Sequence, residues 1–225
     1  MNNLIIFGDS MSTNYSTNDS VLIEEAWPNL LANSLNLNLI NHSLIGASTG
    51  EIINKFFNEY ECIQSNDVVI LQIGFFNRVL DNFKNTTVAL GYDTRFSKLE
   101  MDFFEYKSLE LDEYIAQDFI KFEFICEYLS NRNIEFSVWC IDNMINSNEY
   151  PIAYDRFFKH FYNKFSANFI KYADEFSIMA SLIEKNPKFW INKDDKHFNK
   201  TGHLFFFQYL YDIILSRLNK ENKII

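Results

Sequence analysis

Glycine and proline are scarce, six and three residues in a chain of 225. They nowhere cluster into a linker, so the chain reads as one domain over residues 1–225 rather than as modules on flexible joints. Cysteine is as rare. Cys62, Cys126 and Cys140 stand at irregular spacing that suits neither a paired disulfide framework nor a zinc ligand set, and free thiols in a reducing compartment are expected. Basic residues are outnumbered, 20 Lys and Arg against 30 Asp and Glu, for a net charge of −10, and they form no block. Duplex nucleic acid and an anionic membrane surface both demand clustered cations, so neither is an expected partner. The first apolar run, residues 4–7, is short and has no basic flank before it. Neither a signal peptide nor a membrane-inserting start is expected, and the chain is read as cytoplasmic.

What the sequence has in quantity is large apolar surface. It holds 24 Phe and 12 Tyr, 17% of its residues are aromatic and 48% are hydrophobic, which no disordered segment carries. A chain of this length buries roughly 70% of its unfolded surface, so the core needs no disulfide or structural metal. The apolar pattern alternates between two periods. Residues 4–7 (LIIF), 35–45, 68–73 (VVILQI) and 134–141 (IEFSVWCI) read as strands. Between and after them, 27–34, 51–60, 111–129, 152–172 and 201–218 read as helices, the last apolar nearly all round, and 176–178 reads as a short fifth strand. Strands alternating with helices, the strands mostly apolar throughout, predict a parallel α/β sheet of about five strands with helices on both faces, a three-layer flavodoxin-like sandwich. Residues 78–110 lack clear periodicity and are long for a connection, so an irregular insertion or a lid is expected there.

Three of the six glycines, Gly8, Gly46 and Gly74, stand where the first three predicted strands end. Ligand sites of open parallel sheets lie at the carboxyl ends of the strands, so Gly8-Asp9-Ser10, Gly46-Ala47-Ser48 and Gly74-Phe75-Phe76-Asn77 are expected to converge. A fourth segment bears on the chemistry. Asp194 precedes His197 by three residues just ahead of the last predicted helix. A carboxylate and an imidazole so spaced on a turn can pair, the acid holding the tautomer and the other ring nitrogen left to act as a base. A serine at the end of the first strand is the natural client of that base.

With these residues in place the chain resembles the GDSL, or SGNH, hydrolase family. The resemblance rests on Ser10 within Gly8-Asp9-Ser10, on Gly46, on Asn77, and on Asp194 with His197 trailed by Asn199 and Gly202-His203, in that order over almost the whole chain. It implies Ser10 as nucleophile, His197 as general base and Asp194 as the residue that orients the imidazole. It also implies an oxyanion hole built from the Ser10 and Gly46 amides and the Asn77 side chain. The third block departs from the family pattern, with two Phe between Gly74 and Asn77 and Arg78 in place of an acid. Arg78 and Asp9 are further candidates for substrate contact, Arg78 through an anionic group on the substrate.

Two rival sites compete with this one. Gly46-Ala47-Ser48-Thr49-Gly50 spells the strand-to-helix elbow of another serine hydrolase fold, but its context differs and Ser48 reads better as a helix N-cap. Asp9, Asp194, Asp195, His197 and His203 match no compact metal motif, so no metal and no cofactor are expected, a metal on these residues being kept as a minor alternative. His203 reads as a packing or capping residue, and Trp27, Trp139 and Trp190 as core. The expected activity is removal of a small acyl group from an ester, an O-acetyl group on a carbohydrate being the preferred substrate. An O-acyltransferase using the same acyl-serine, a lipid or thioester hydrolase, and an inert binding module remain the alternatives.

Overall fold

The computed structural model describes residues 2–13, 21–74, 78–81, 86–89, 111–141, 150–171, 186–191 and 197–220. In chain order the elements are β1 (Asn3–Phe7), α1 (Trp27–Ser34), β2 (Asn38–Asn41), α2 (Thr49–Glu59), β3 (Val68–Ile73), β4 (Arg78–Asp81), β5 (Thr86–Ala89), α3 (Leu111–Asn131), β6 (Glu135–Cys140), α4 (Pro151–Arg156) and α5 (Lys200–Lys220). Helix α4 runs on through a π-helical stretch, Phe157–Tyr162, and a last α-turn, Asn163–Phe165. Four strands form a parallel sheet in the order β2-β1-β3-β6. Phe169 adds a parallel bridge to Val138, with Val138 N–H donating to Asn168 O at 2.9 Å and Ile170 N–H to Val138 O at 2.8 Å. The sheet thus has a fifth, one-bridge position beyond β6, at Phe169 rather than at the expected 176–178, which completes a doubly wound order.

Alternation along the strands sorts two cores. Ile5 and Phe7 of β1, with Val69, Leu71 and Ile73 of β3, pack with α2, α3 and α4 on one face. Leu4 and Ile6, with Val68 and Ile70, pack with α1 and α5 on the other. A period of two can serve both faces only if both are covered, which is why β3 is buried at every position. Helix α5 turns one stripe inward, Phe206, Leu210 and Ile214, while Leu204 stays 45% exposed. No described helix is long and apolar enough to cross a membrane.

Three sequence expectations need correction or qualification. The second strand is four residues, not the whole of 35–45. Its Leu-Asn-Leu start is spent on ending α1, where Asn36 has φ 54° and Leu37 N–H reaches back to Ala32 O at 2.9 Å. Helix α3 ends the same way, with Asn133 at φ 55° and Ile134 N–H on Leu129 O at 3.0 Å. Asparagine thus takes the left-handed position that glycine usually fills after a helix. Secondly, the helix expected over 152–172 ends at Phe165. Phe157, Phe161, Phe165 and Phe169 keep an i,i+4 spacing and share one core, but Phe169 reaches it from the sheet edge, held there by Asn168 Nδ2 donating to Phe136 O at 3.0 Å. The third concerns 176–178, which lies outside the described residues, as does most of 78–110. The described part of that second segment is the antiparallel ladder of β4 with β5.

Candidate active site

The order in which strands are added to the sheet reverses at β1, since β2 lies on one side of it and β3 on the other. Beyond β1 the backbone makes a tight 3₁₀ turn, Ser10–Ser12, started by Asp9, whose Oδ1 accepts Met11 N–H at 2.8 Å. Its successive carbonyls are all engaged. Asp9 O accepts Ser12 N–H at 3.0 Å and Ser10 O accepts Thr13 Oγ1 at 2.8 Å. Met11 O accepts the Trp27 indole N–H at 2.9 Å, and Ser12 O accepts Asn41 Nδ2 at 2.7 Å. Gln72, a wholly buried amide in otherwise apolar β3, clasps the start of the turn. Its Nε2 donates to Asp9 Oδ1 at 2.6 Å, and its Oε1 accepts Asp9 N–H at 3.1 Å as well as the Ser12 hydroxyl. Gly8 makes room for this clasp, because a Cβ there would stand 2.4 Å from Gln72 Oε1.

His197 approaches from the far end of the chain. It precedes a bridge of Phe198 to Trp190, and Ile191 N–H donates to His197 O at 3.0 Å. Asn199 then caps α5, accepting Gly202 N–H at 2.9 Å, while its Nδ2 donates to Lys188 O at 2.8 Å and Trp190 O at 2.6 Å. This scaffold brings His197 Nε2 to 2.8 Å from Ser10 Oγ, across 187 residues of sequence. That distance is within the hydrogen-bond reach that a hydroxyl nucleophile and its imidazole base require.

Neither a family model nor a curated protein matches the chain. Solved structures do. The psychrotrophic esterase EstA from Pseudoalteromonas sp., inhibited by monoethylphosphonate, superposes with a TM-score of 0.53 at 16% identity, over 97% of this chain and 100% of that one. A lipolytic protein of the G-D-S-L family from Veillonella parvula DSM 2008 gives 0.52 at 14% identity, over 96% and 97%. The chain has an SGNH/GDSL hydrolase-like fold. An acetyl xylan esterase, AlAXEase, shares it with a TM-score of 0.50 at 16% identity, over 93% of this chain and 98% of that one.

Within this SGNH-like fold the remaining sequence candidates fall as follows. Gly46 occupies a turn closed by Ala47 N–H on Leu44 O at 3.2 Å and tied to β1 by Leu44 N–H on Gly8 O at 2.9 Å. Its φ of 79° is the reason for glycine, since a Cβ there would touch nothing within 4 Å. Asn77 and Asp194 lie outside the described residues, and of Arg78 only the backbone, opening β4, is described. Asp9, expected to meet substrate, is 0% exposed and turned inward onto Met11 N and Gln72, so its role in this arrangement is to build the turn. Ser48 is the N-cap of α2, in a capping box with Glu51. Among the described residues no three His, Cys, Asp or Glu side chains converge as a metal site. Gln72, Trp27 and Asn41 were not singled out as site residues from sequence. For Gln72 a signal existed, a lone amide inside an apolar strand.

His203, on the first turn of α5, is 2% exposed and accepts Trp27 N–H on Nδ1 at 3.2 Å. It therefore satisfies one of the orphan donors at the start of α1. Burial, with a smaller contribution from the charge of His197, pushes its pKa down to about 4 from 6.5. Above pH 6.5 neither the folded nor the unfolded chain protonates this group. Between 6.5 and 4 only the unfolded chain takes the proton, so stability contributed by His203 is lost as the pH falls through that window, by about 3 kcal/mol. Thermal denaturation at pH 7 and pH 4.5 is expected to show a smaller loss of Tm for His203→Asn than for the wild-type chain. Parallel losses in the two would contradict it.

Proposed function

We propose that the chain is a serine-dependent ester hydrolase of the SGNH type, with Ser10 as nucleophile, His197 as general base and Asp194 as its orienting acid. The observation that carries this reading is the 2.8 Å approach of His197 Nε2 to Ser10 Oγ on a turn whose carbonyls are all engaged. As Ser10 Oγ attacks the ester carbonyl, its proton passes to His197 Nε2. The oxyanion forms beside the Ser10 and Gly46 amides, with the Asn77 amide as third donor. Collapse expels the alkoxide, which recovers the proton from His197, and leaves an acyl-Ser10. Water, deprotonated by His197, then releases the acid.

A small acyl ester, an O-acetyl group on a carbohydrate, is the substrate class we favour, and the fold shared with an acetyl xylan esterase supports it. Every proton in this scheme is carried by a protein group or water. Activity on an activated acetyl ester is therefore expected without added metal and unchanged after extensive chelation. Loss of activity on chelation with recovery on a divalent ion would replace the scheme. Adding a sugar acceptor to the same assay separates hydrolysis from acyl transfer, because an acceptor that captures the acyl group yields an acylated sugar in place of free acid. Hydrolysis is the expected outcome.

A further inference from the structure

We propose that Trp27 and His203 form a positioning link between the turn carrying Ser10 and the segment carrying His197, and that this link sets the separation of the two reacting atoms. The proposal rests on the reading of Ser10 and His197 as nucleophile and base. Trp27 is wholly buried and uses both of its N–H groups on opposite halves of the site. Its indole N–H holds Met11 O, one residue after Ser10, at 2.9 Å, and its backbone N–H is held by His203 Nδ1, six residues after His197, at 3.2 Å. One residue thus spans the space between two segments 187 positions apart in sequence.

Packing alone does not account for these contacts. Trp139 is equally buried, with its ring centroid 6.5 Å from that of Trp27, yet its indole N–H has no hydrogen-bond partner among the described residues. Trp27 shares the same cluster and packs edge-on against Phe206 at 5.2 Å, so apolar burial is common to both indoles and the aimed N–H belongs to one. His203 is held neutral by its burial, which keeps Nδ1 an acceptor across the physiological range. Reacting groups displaced by about 1 Å lose up to ~10²-fold in rate, so a link of two hydrogen bonds is enough to matter.

The test measures kcat, KM and Tm on an activated acetyl ester for the wild-type chain and four variants. Trp27→Phe keeps a ring and deletes the indole N–H, and is expected to lower kcat about tenfold at unchanged KM. His203→Leu is expected to do the same, while His203→Asn, which returns an oxygen acceptor near the Nδ1 position, stays within about threefold of wild type. Phe206→Leu removes packing from the same cluster and neither hydrogen bond, and is expected to lower Tm with kcat within about twofold. A Trp27→Phe enzyme with wild-type kcat, or a kcat loss that follows Tm across all variants including Phe206→Leu, overturns the link. Should Trp27→Phe fail to fold, the contrast between His203→Asn and His203→Leu decides, equal rates in those two overturning it. A wild-type chain that neither cleaves the ester nor takes a phosphonate on Ser10 defeats the functional reading, and the link with it. An active wild type with insensitive variants defeats the link alone.

Discussion

Replacing Ser10 by alanine is expected to lower ester hydrolysis by ~10⁴-fold or more, the cost of removing a nucleophile whose partners act as a unit. The side chain sits at the end of β1 with its Oγ 2.8 Å from His197 Nε2. Ser48 provides the internal contrast. It lies in a Gly-x-Ser-x-Gly string, but its Oγ accepts Glu51 N–H at 3.2 Å and it is 0% exposed at the head of α2. Ser48→Ala is expected to cost about 1 kcal/mol of stability, the usual worth of an N-cap, while keeping most of the activity. Kinetics on both variants, joined to mass spectrometry after a serine-directed organophosphonate, test the pair. The adduct is expected on Ser10, and an adduct on Ser48 with activity surviving Ser10→Ala would assign the nucleophile to the other turn.

Gly202→Ala is expected to have the largest effect on stability. In an ordinary helix the change from glycine to alanine is favourable by about 1 kcal/mol. Here a Cβ would stand 2.5 Å from Phe189 O and 2.8 Å from Phe198 Cδ1. Phe189 O is backbone and already accepts Asn199 N–H at 2.9 Å, so it cannot move aside without loosening the cap of α5. Overpacking of this kind costs about 1–3 kcal/mol, and the loosened cap adds to it. We expect a net loss of about 2–3 kcal/mol, a fall in Tm of roughly 5–10 °C for a chain of this size. Because Phe198 and Asn199 carry His197, kcat is expected to fall as well. A Tm at or above wild type would show that helix propensity wins and that the helix start has room to shift.

Much of the fold was legible because strands and helices announce themselves by local period. Residues 68–73 are apolar but for one amide and form a buried central strand over the same bounds, and 27–34 form α1 as read. Where the reading failed, a local pattern was satisfied by a different partner. The phenylalanines from Phe157 to Phe169 keep helical spacing, but a turn at 166–168 delivers the last of them to Val138 of the sheet. The Leu-Asn alternation after α1 has strand period, yet Asn36 takes a left-handed conformation that no alternation rule detects.

The candidate site divides along the same line. The serine, the histidine and the glycines stood in the sequence as residue types at strand ends and ahead of the last helix, because reacting groups and tight turns admit few substitutes. Tertiary structure alone decided that Gln72 clasps Asp9, that Asn41 and Trp27 hold the carbonyls of the turn after Ser10, and that His203 in turn holds Trp27. Those partners lie between 16 and 176 residues apart. A hydrogen bond between such groups depends on where two elements meet in space, and no periodicity in a single segment encodes that meeting.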